Sequence, residues 1–286
     1  MSVSEPPGRV DAHHHWWNLS ARDQPWIDPL TMTAIRRNFD VADLLAALAG
    51  TGVDRTVLVQ ALNDDAETAE LLDQAAAAQV VAGVVGWIDL VVPDADRRLA
   101  RLRGLPGGHL LVGIRHQAQA ERDPARWLAH PGLDGGLDAL AALGLPFDLM
   151  IRPAQFDVAR QLSRRHPGVT FVLDHLGKPP VGAGPIEPWA EGIRALARSS
   201  NVVCKLSGLV TLGGSGCRVD HLRPYALTVL EAFGPARVMY GSDWPVCVLA
   251  ADYVEVVGLV EELLADLAED ERSMIWQGTA RRVYGL

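Results

Sequence analysis

The sequence predicts an α/β fold, a (β/α)8 TIM barrel formed by a single domain over residues 1–286. Three observations predict it: short β-branched runs recur about eight times, stretches rich in Ala, Leu and Arg lie between them, and Gly or Pro marks most joins. Strands that alternate with helices form a parallel sheet with crossover helices. Eight such units in 286 residues suit a closed barrel better than an open doubly wound sheet, which is the alternative.

The predicted strands begin with the run RVDAHHHW and end with the run RVMYGSDW. They cover residues 9–16, 54–62, 80–90, 110–116, 147–153, 170–176, 201–208 and 237–244. The predicted helices cover residues 41–49, 66–78, 94–103, 135–143, 156–166, 188–199, 225–233 and 259–267. Two glycine-bearing stretches, 182–188 and 213–216, follow strands and are interpreted either as flanks of an active-site mouth or as plain surface loops.

Composition excludes several classes of partner. A net charge of -9 argues against nucleic acid or an anionic membrane as the main partner, because both favour an excess of Lys and Arg. The cysteines Cys204, Cys217 and Cys247 form no CxxC pair, which indicates a reducing compartment. The first residues lack a basic stretch followed by an apolar one, and the longest apolar runs are strand-sized, so we expect a cytoplasmic protein.

Polar residues gather where the predicted strands end, which is the side on which barrels of this kind carry their active sites. In the run Asp11-Ala12-His13-His14-His15, alternation along a strand turns His13 and His15 to one face and His14 to the other. Two imidazoles at this spacing converge on one metal ion or one water. The competing interpretations are a tag remnant and a purely structural role.

Further candidates end the other strands. Asp243 follows an apolar run and is either a metal ligand and proton acceptor or a turn and helix-cap residue. His175 is expected to orient water, polarise a carbonyl or bind metal, whereas Asp174 is expected to point away as a structural hydrogen-bond partner. Basic side chains that follow other strands are candidates for oxyanion or carboxylate binding, with simple solvation as the alternative: Arg115, His116 and Arg152.

Together the segments VDAHHHWW, DRTVLVQA, GIRHQ, FDLMIRP, FVLDHLGKP, CKLSGL, YGSDWPVC and RRVYGL resemble the amidohydrolase superfamily over nearly the whole chain. The resemblance is closest to its branch of sugar-lactone and related lactone hydrolases. It implies that the first-strand HxH motif falls on His13 and His15, the sixth-strand His on His175, and the general acid/base Asp of the eighth strand on Asp243. The residue between the two histidines is often Gln in similar sequences and is His14 here.

The resemblance also bears on metal content. Binuclear members bridge two metals with a Lys or Glu of the fourth strand and often use a fifth-strand His, but these strands end in Arg115 and Arg152 here. The expectation is therefore a single divalent cation, with zinc the preferred ion, bound by His13, His15 and Asp243, and with His175 as a further ligand candidate. The branch includes enzymes that work without metal, so metal-independent catalysis stays open.

The resemblance implies hydrolysis of a lactone ring, with an aldonolactone (a sugar lactone) as the expected small-molecule substrate. Asp243 takes a proton from water and returns it to the leaving alkoxide, while His13, His15 and His175 polarise the carbonyl. Expected substrate-binding residues are Arg115, His116, Arg152, Lys205, Trp16 and Trp244. The alternatives are a metal-dependent decarboxylase, a dicarboxylate lactone hydrolase and a barrel that only binds ligand; the oligomeric state stays open.

Overall fold

Eight parallel strands form the centre of the computed structural model, which describes residues 8–286. The seven residues before them belong to the predicted domain 1–286 but lie outside the described residues. The strands follow one another around the sheet in chain order. They are β1 Arg9–His14, β2 Val53–Val59, β3 Val81–Gly86, β4 Leu111–His116, β5 Phe147–Leu149, β6 Phe171–Leu173, β7 Val202–Leu206 and β8 Val238–Tyr240.

The segment after β8 returns to β1 and nearly closes the sheet. The Asp243 backbone N–H donates to His13 O at 2.8 Å, and the His15 N–H donates to Trp244 O at 2.6 Å. A parallel bridge joins His14 to Trp244. The predicted barrel is thereby confirmed, because an open doubly wound sheet would reverse its strand order and leave β1 and β8 far apart.

Helices follow the strands and pack outside them. They are α1 Val41–Leu48, α2 Asp65–Ala76, α3 Ala95–Arg103, α4 Pro124–Leu128, α5 Gly132–Leu143, α6 Phe156–Arg165, α7 Glu187–Ala197, α8 Leu209–Gly213, α9 Val219–Phe233, α10 Tyr253–Leu263, α11 Glu269–Ser273 and α12 Thr279–Tyr284. A π-helical turn, Met274–Gly278, lies between the last two. Within residues 8–286, none of these helices combines the length and the apolar character that a bilayer crossing requires.

Several predicted bounds were wrong in informative ways. The sixth and eighth predicted strands extend too far, since β6 ends at Leu173 and β8 at Tyr240. The chain leaves the sheet there through left-handed residues such as His175 and Asp243, with φ of 51° and 60°. The last predicted helix, 259–267, is α10 and begins earlier, at Tyr253, because Asp252 caps it by accepting from the Glu255 N–H.

A small valine-rich core fills the barrel, and the C-terminal helix α12 closes its lower end. Ala280 and Tyr284 pack there against strand residues that include Val57, Val172 and Met239. The Tyr284 hydroxyl donates to Asp148 Oδ2 of β5 at 2.8 Å. The C-terminal helix therefore holds one end of a buried charge network whose other end reaches the mouth of the barrel.

Replacing Tyr284 with Phe tests the hold of α12 on the barrel. The change removes one donor to a buried carboxylate and keeps the ring, so we expect a loss of about 1.5–3 kcal/mol and a fall in Tm of roughly 3–10 °C. Tyr225→Phe is the matched control, since its hydroxyl donates to a neutral carbonyl, Pro180 O, at 3.2 Å. Equal Tm values for the two variants in thermal unfolding by circular dichroism would contradict this account.

Candidate active site

A cavity of about 370 Å³ opens at the carboxyl ends of the strands. Of the residues predicted to form a site, it is lined by His15, Arg115, Arg152, His175 and Asp243. The apolar part of the lining, called the apolar wall below, consists of Trp26, Met32, Leu212, Val246 and Leu249. The cavity lies within the size range of small-molecule sites, and its two faces suit a ligand with both polar and apolar sides.

Three imidazoles surround one carboxylate oxygen at the bottom of this cavity. Asp243 Oδ1 lies 3.6 Å from His15 Nε2, 3.7 Å from His13 Nε2 and 4.0 Å from His175 Nε2. The two nitrogens of His13 and His15 are 3.1 Å apart. The side chains of His13 and His15 therefore converge, while the ring of His14 lies against Trp16, with centroids 5.7 Å apart.

A β-bulge in β1 aims His13 into the barrel. Between Asp11 and His14 the strand advances three residues while β2 advances two, from Thr56 to Leu58. An extra residue of this kind bends a strand and redirects its side chains. Asp11 and His13 consequently contact different groups, although strict alternation would place them on one face.

The second nitrogen of two imidazoles is occupied by a neighbour. His15 Nδ1 lies 2.7 Å from Val59 O, so a neutral His15 donates there and keeps its Nε2 lone pair for the cavity. His175 Nδ1 lies 2.9 Å from Ser207 Oγ. Burial lowers the pKa of His15 and lowers the pKa of His175 to about 4, so both rings are neutral at physiological pH.

Asp243 remains ionised among these rings. Burial raises its pKa, but His175, His15 and the Lys178 ammonium outweigh burial, and the pKa of Asp243 lies below its ordinary value. The carboxylate is thus available as a proton acceptor at neutral pH.

A buried charge network lies behind His13. Lys205 Nζ lies 2.6 Å from Asp148 Oδ2, 3.2 Å from Asp174 Oδ1 and 3.1 Å from His13 Nδ1. Arg115 Nη1 donates to Asp174 Oδ2 at 3.1 Å and lies 3.2 Å from His13 Nε2. Lys205 therefore orients His13 from inside the barrel and does not line the cavity.

Asp174 belongs to this network, contrary to the expectation that it points away. Because β6 ends at Leu173, strand alternation no longer governs the next residue, and Asp174 Oδ1 lies 3.4 Å from His13 Nδ1. Burial raises the pKa of Asp174, but Lys205 and His13 lower it more, so the pKa lies well below the ordinary value. Asp174 is therefore a carboxylate and balances the two cations.

Asp11 joins the two ends of the sheet. Its Oδ1 accepts from the backbone N–H groups of His13, at 3.0 Å, and Ser242, at 2.9 Å. Its Oδ2 accepts from Ser242 Oγ at 2.6 Å and from the Tyr253 hydroxyl at 2.8 Å. These four hydrogen bonds fix His13 and Asp243 relative to each other, because Asp11 binds the backbone of His13 directly and that of Ser242, the residue before Asp243.

Glycine is required where β8 meets β1. A Cβ on Gly241 would lie 2.7 Å from the Cβ of His13 and 3.1 Å from that of Ser207. Only a residue without a side chain permits this approach. The GSD sequence thus combines close packing with the turn that presents Asp243.

Three predicted binding residues lie elsewhere. His116 stacks on Trp127 with centroids 3.6 Å apart and contacts Glu121 through Nε2 at 2.9 Å. Trp16 is buried beside His14, and Trp244 packs on Phe39 at 5.3 Å between centroids. The apolar part of the cavity lining comes instead from the loops that follow β1 and β8 and from Leu212 of α8.

The sequence interpretation did not single out Lys178, Gln117 or Gln119, which line the cavity. One signal was available for the first of them. The chain has 26 basic residues, of which only Lys178 and Lys205 are lysines, and the structure places both at this site. Because lysine is so rare in this chain, a lysine three residues after the candidate His175 indicates a residue of the site.

The donor set suits one divalent ion. The Nε2 atoms of His13 and His15 and Oδ1 of Asp243 lie 3.1–3.7 Å apart. Ligands of a tetrahedral zinc at 2.0–2.2 Å from the metal are about 3.3–3.6 Å apart. Neutral rings and an ionised carboxylate have the protonation states that metal binding needs. Among the described residues, His13, His15 and Asp243 form one of two groups close enough to bind an ion, and the other is His13, Asp174 and His175.

Comparisons with known proteins agree with this geometry. A family model described as amidohydrolase matches residues 10–286. The chain is 38% identical over 280 residues to L-fucono-1,5-lactonase of Burkholderia ambifaria, covering 96% of this chain and 95% of that protein. It is 37% identical over 289 residues to L-fucono-1,5-lactonase of Burkholderia multivorans, covering 97% and 96%.

Among solved structures, the chain is similar to a zinc-bound amidohydrolase from Burkholderia multivorans. The two share a TM-score of 0.91 and 37% sequence identity, over 97% of this chain and 99% of the other. Together with the donor set, this similarity supports a divalent metal at the site.

Replacing Ser242 with Ala tests the Asp11 connection. The variant loses the hydroxyl bond to Asp11 and the acceptor for the Trp244 N–H, at 2.9 Å, so Asp243 is held less firmly. We expect kcat to fall about 10- to 100-fold. The control is Ser163→Ala in α6, which breaks a buried hydrogen bond to Ser199 and should lower Tm without changing kcat. An unchanged kcat in Ser242→Ala would show that the hydrogen bond between Ser242 and Asp11 is not needed for catalysis.

Proposed function

Since the chain belongs to the amidohydrolase family, we propose that it hydrolyses the ring ester of a sugar lactone to the open sugar acid. The observation that carries this proposal is the ionised carboxylate of Asp243, held 3.6–4.0 Å from three imidazoles at the bottom of a cavity. The curated relatives named L-fucono-1,5-lactonase make L-fucono-1,5-lactone the first substrate to test.

Asp243 acts as the general base and then as the general acid. It accepts a proton from water while the water oxygen bonds to the lactone carbonyl carbon. The ring C–O bond then breaks, and the proton passes from Asp243 to the departing alkoxide, which becomes a hydroxyl group. The resulting carboxylic acid loses its proton to solvent, so one water is consumed for each ring opened.

The surrounding residues bind and orient. Neutral His15 and His175 hold the carbonyl and the water close to Asp243, and Lys205 and Asp174 keep the ring of His13 in place behind them. Arg152 and Gln117 are proposed to bind sugar hydroxyls, and Trp26 and Met32 of the apolar wall are proposed to contact the sugar ring. Esters are intrinsically easier to cleave than amides, so a lactone suits a site that relies on one carboxylate for proton transfer.

We propose zinc as the ion bound by His13, His15 and Asp243, with His175 as a further ligand. When bound, such an ion polarises a carbonyl and lowers the pKa of water. The guanidinium of Arg115, 3.2 Å from His13 Nε2, is the feature that supports the metal-independent alternative, because a cation already faces that nitrogen.

The cytoplasm is the proposed compartment, in line with the free thiols of Cys204, Cys217 and Cys247. Decarboxylation of an aromatic acid is the rival reaction. It would release CO2, whereas lactone hydrolysis releases a proton without gas, so one assay distinguishes them.

Replacing Asp243 with Asn removes the proposed base. A panel of aldonolactones that includes L-fucono-1,5-lactone is followed by proton release, and we expect kcat/KM to fall by about 10²–10⁴. Asp157→Asn, an exposed change on α6, is the control and should keep wild-type kinetics. Turnover that survives the Asp243 change for every lactone would refute the proposal.

Metal content tests the ligand set. By elemental analysis of protein purified in zinc-supplemented buffer, we expect about one ion per wild-type chain and far less in His15→Asn. His14→Gln is the control, because the His14 ring nitrogens have no partner within residues 8–286 and face away from the cavity. Equal zinc content in His15→Asn and His14→Gln would show that His15 does not bind the ion.

A further inference from the structure

Lys178 lies in the most unusual backbone segment of the described chain. Four consecutive residues adopt left-handed conformations: His175, Leu176, Gly177 and Lys178, with φ of 51°, 53°, 65° and 57°. Each such non-glycine residue costs about 1–3 kcal/mol and persists where its surroundings hold it. Within residues 8–286, Asp243 is the remaining non-glycine residue with positive φ. Three of these residues, His175, Lys178 and Asp243, line one cavity and present polar groups to it.

The Lys178 side chain is half-buried and lines the cavity together with Asp243 and Arg115. Its backbone N–H donates to His175 O at 2.8 Å, but its ammonium forms no hydrogen bond or ion pair within residues 8–286. Lys205, the other lysine, is surrounded by Asp148, Asp174 and His13. One lysine is thus neutralised by the protein, whereas the other faces the space where a ligand binds.

The lining of the cavity carries more positive than negative charge. Lys178, Arg115 and Arg152 face a single carboxylate, Asp243, so the lining is cationic. Arg115 is already engaged by Asp174 and by the carbonyl of Gln60. A neutral lactone brings no charge, but the attack of water places a negative charge on the carbonyl oxygen, and the product retains a carboxylate. An unpartnered ammonium is most useful to those two species.

We propose that Lys178 is a catalytic residue of the lactone hydrolysis proposed above. Its ammonium binds the carbonyl oxygen as that oxygen becomes negative, and it then binds the carboxylate of the sugar acid. Lys178 neither gains nor loses a proton in the step; the water proton still travels through Asp243 to the leaving oxygen. A compact cation on a flexible stem suits this position better than a planar guanidinium.

The experiment compares wild type with Lys178→Met and Lys178→Arg in the full chain. Lys178→Met keeps a side chain of similar length, and Met, like Lys, must adopt the left-handed backbone conformation at this position. We expect its kcat to fall about 10²–10³-fold, its KM for L-fucono-1,5-lactone to change by less than about threefold, and inhibition by L-fuconate to weaken more than about tenfold. Lys178→Arg should keep inhibition by L-fuconate.

Retention of the positive charge separates catalysis from a structural role. Lys178→Arg restores a cation at this position, so it should keep inhibition by L-fuconate and retain more of the wild-type kcat than Lys178→Met does. Arg198→Met, an exposed change at the end of α7, is the control and should retain the wild-type kcat and inhibition. A folded Lys178→Arg variant that no longer binds L-fuconate would overturn the proposal even if Lys178→Met failed to fold.

Two failures are distinguishable. Unchanged kcat and unchanged inhibition by L-fuconate in Lys178→Met, with wild type active and Asp243→Asn inactive, would overturn the role of Lys178 alone. A wild-type enzyme that opens no lactone of the panel would overturn the proposed function, and the role of Lys178 with it.

Discussion

The buried carboxylate of Asp11 is the connection on which the site depends. A carboxylate removed from water is costly unless its oxygens are hydrogen-bonded, and burial raises the pKa of Asp11 to about 6 despite four donors. Those donors come from β1, from the turn after β8 and from α10. The ends of a 286-residue chain are thereby joined within one residue of Asp243.

Around this connection the interior separates two kinds of charge. Below the cavity, Asp148 and Asp174 neutralise Lys205 and Arg115, and the network positions His13. Inside the cavity, Asp243 is surrounded by neutral rings and shares the lining with Lys178 and Arg152, whose charged groups form no ion pair within residues 8–286. The charge network below the cavity therefore holds His13 in place, while the charges that line the cavity can stabilise a reacting molecule.

Strand number, strand order and the residues His13, His15, His175 and Asp243 were accessible from the sequence, because hydrophobic periodicity and the position of polar residues at strand ends are local signals. The direction of the Asp174 side chain and the place of Lys178 in the cavity lining were not accessible in this way. Both residues follow the point where β6 ends, and a left-handed run cancels the alternation that predicts side-chain direction. The placement of Tyr284 against Asp148 is also beyond local signals, since 136 residues separate them.

The position of Tyr284 also bears on biosynthesis. The network that orients His13 needs Asp148 from the middle of the chain and the hydroxyl of α12, which the ribosome makes after all eight strands. A chain that lacks α12 would have every histidine of the site but not the hydroxyl that holds Asp148 at the lower end of the network.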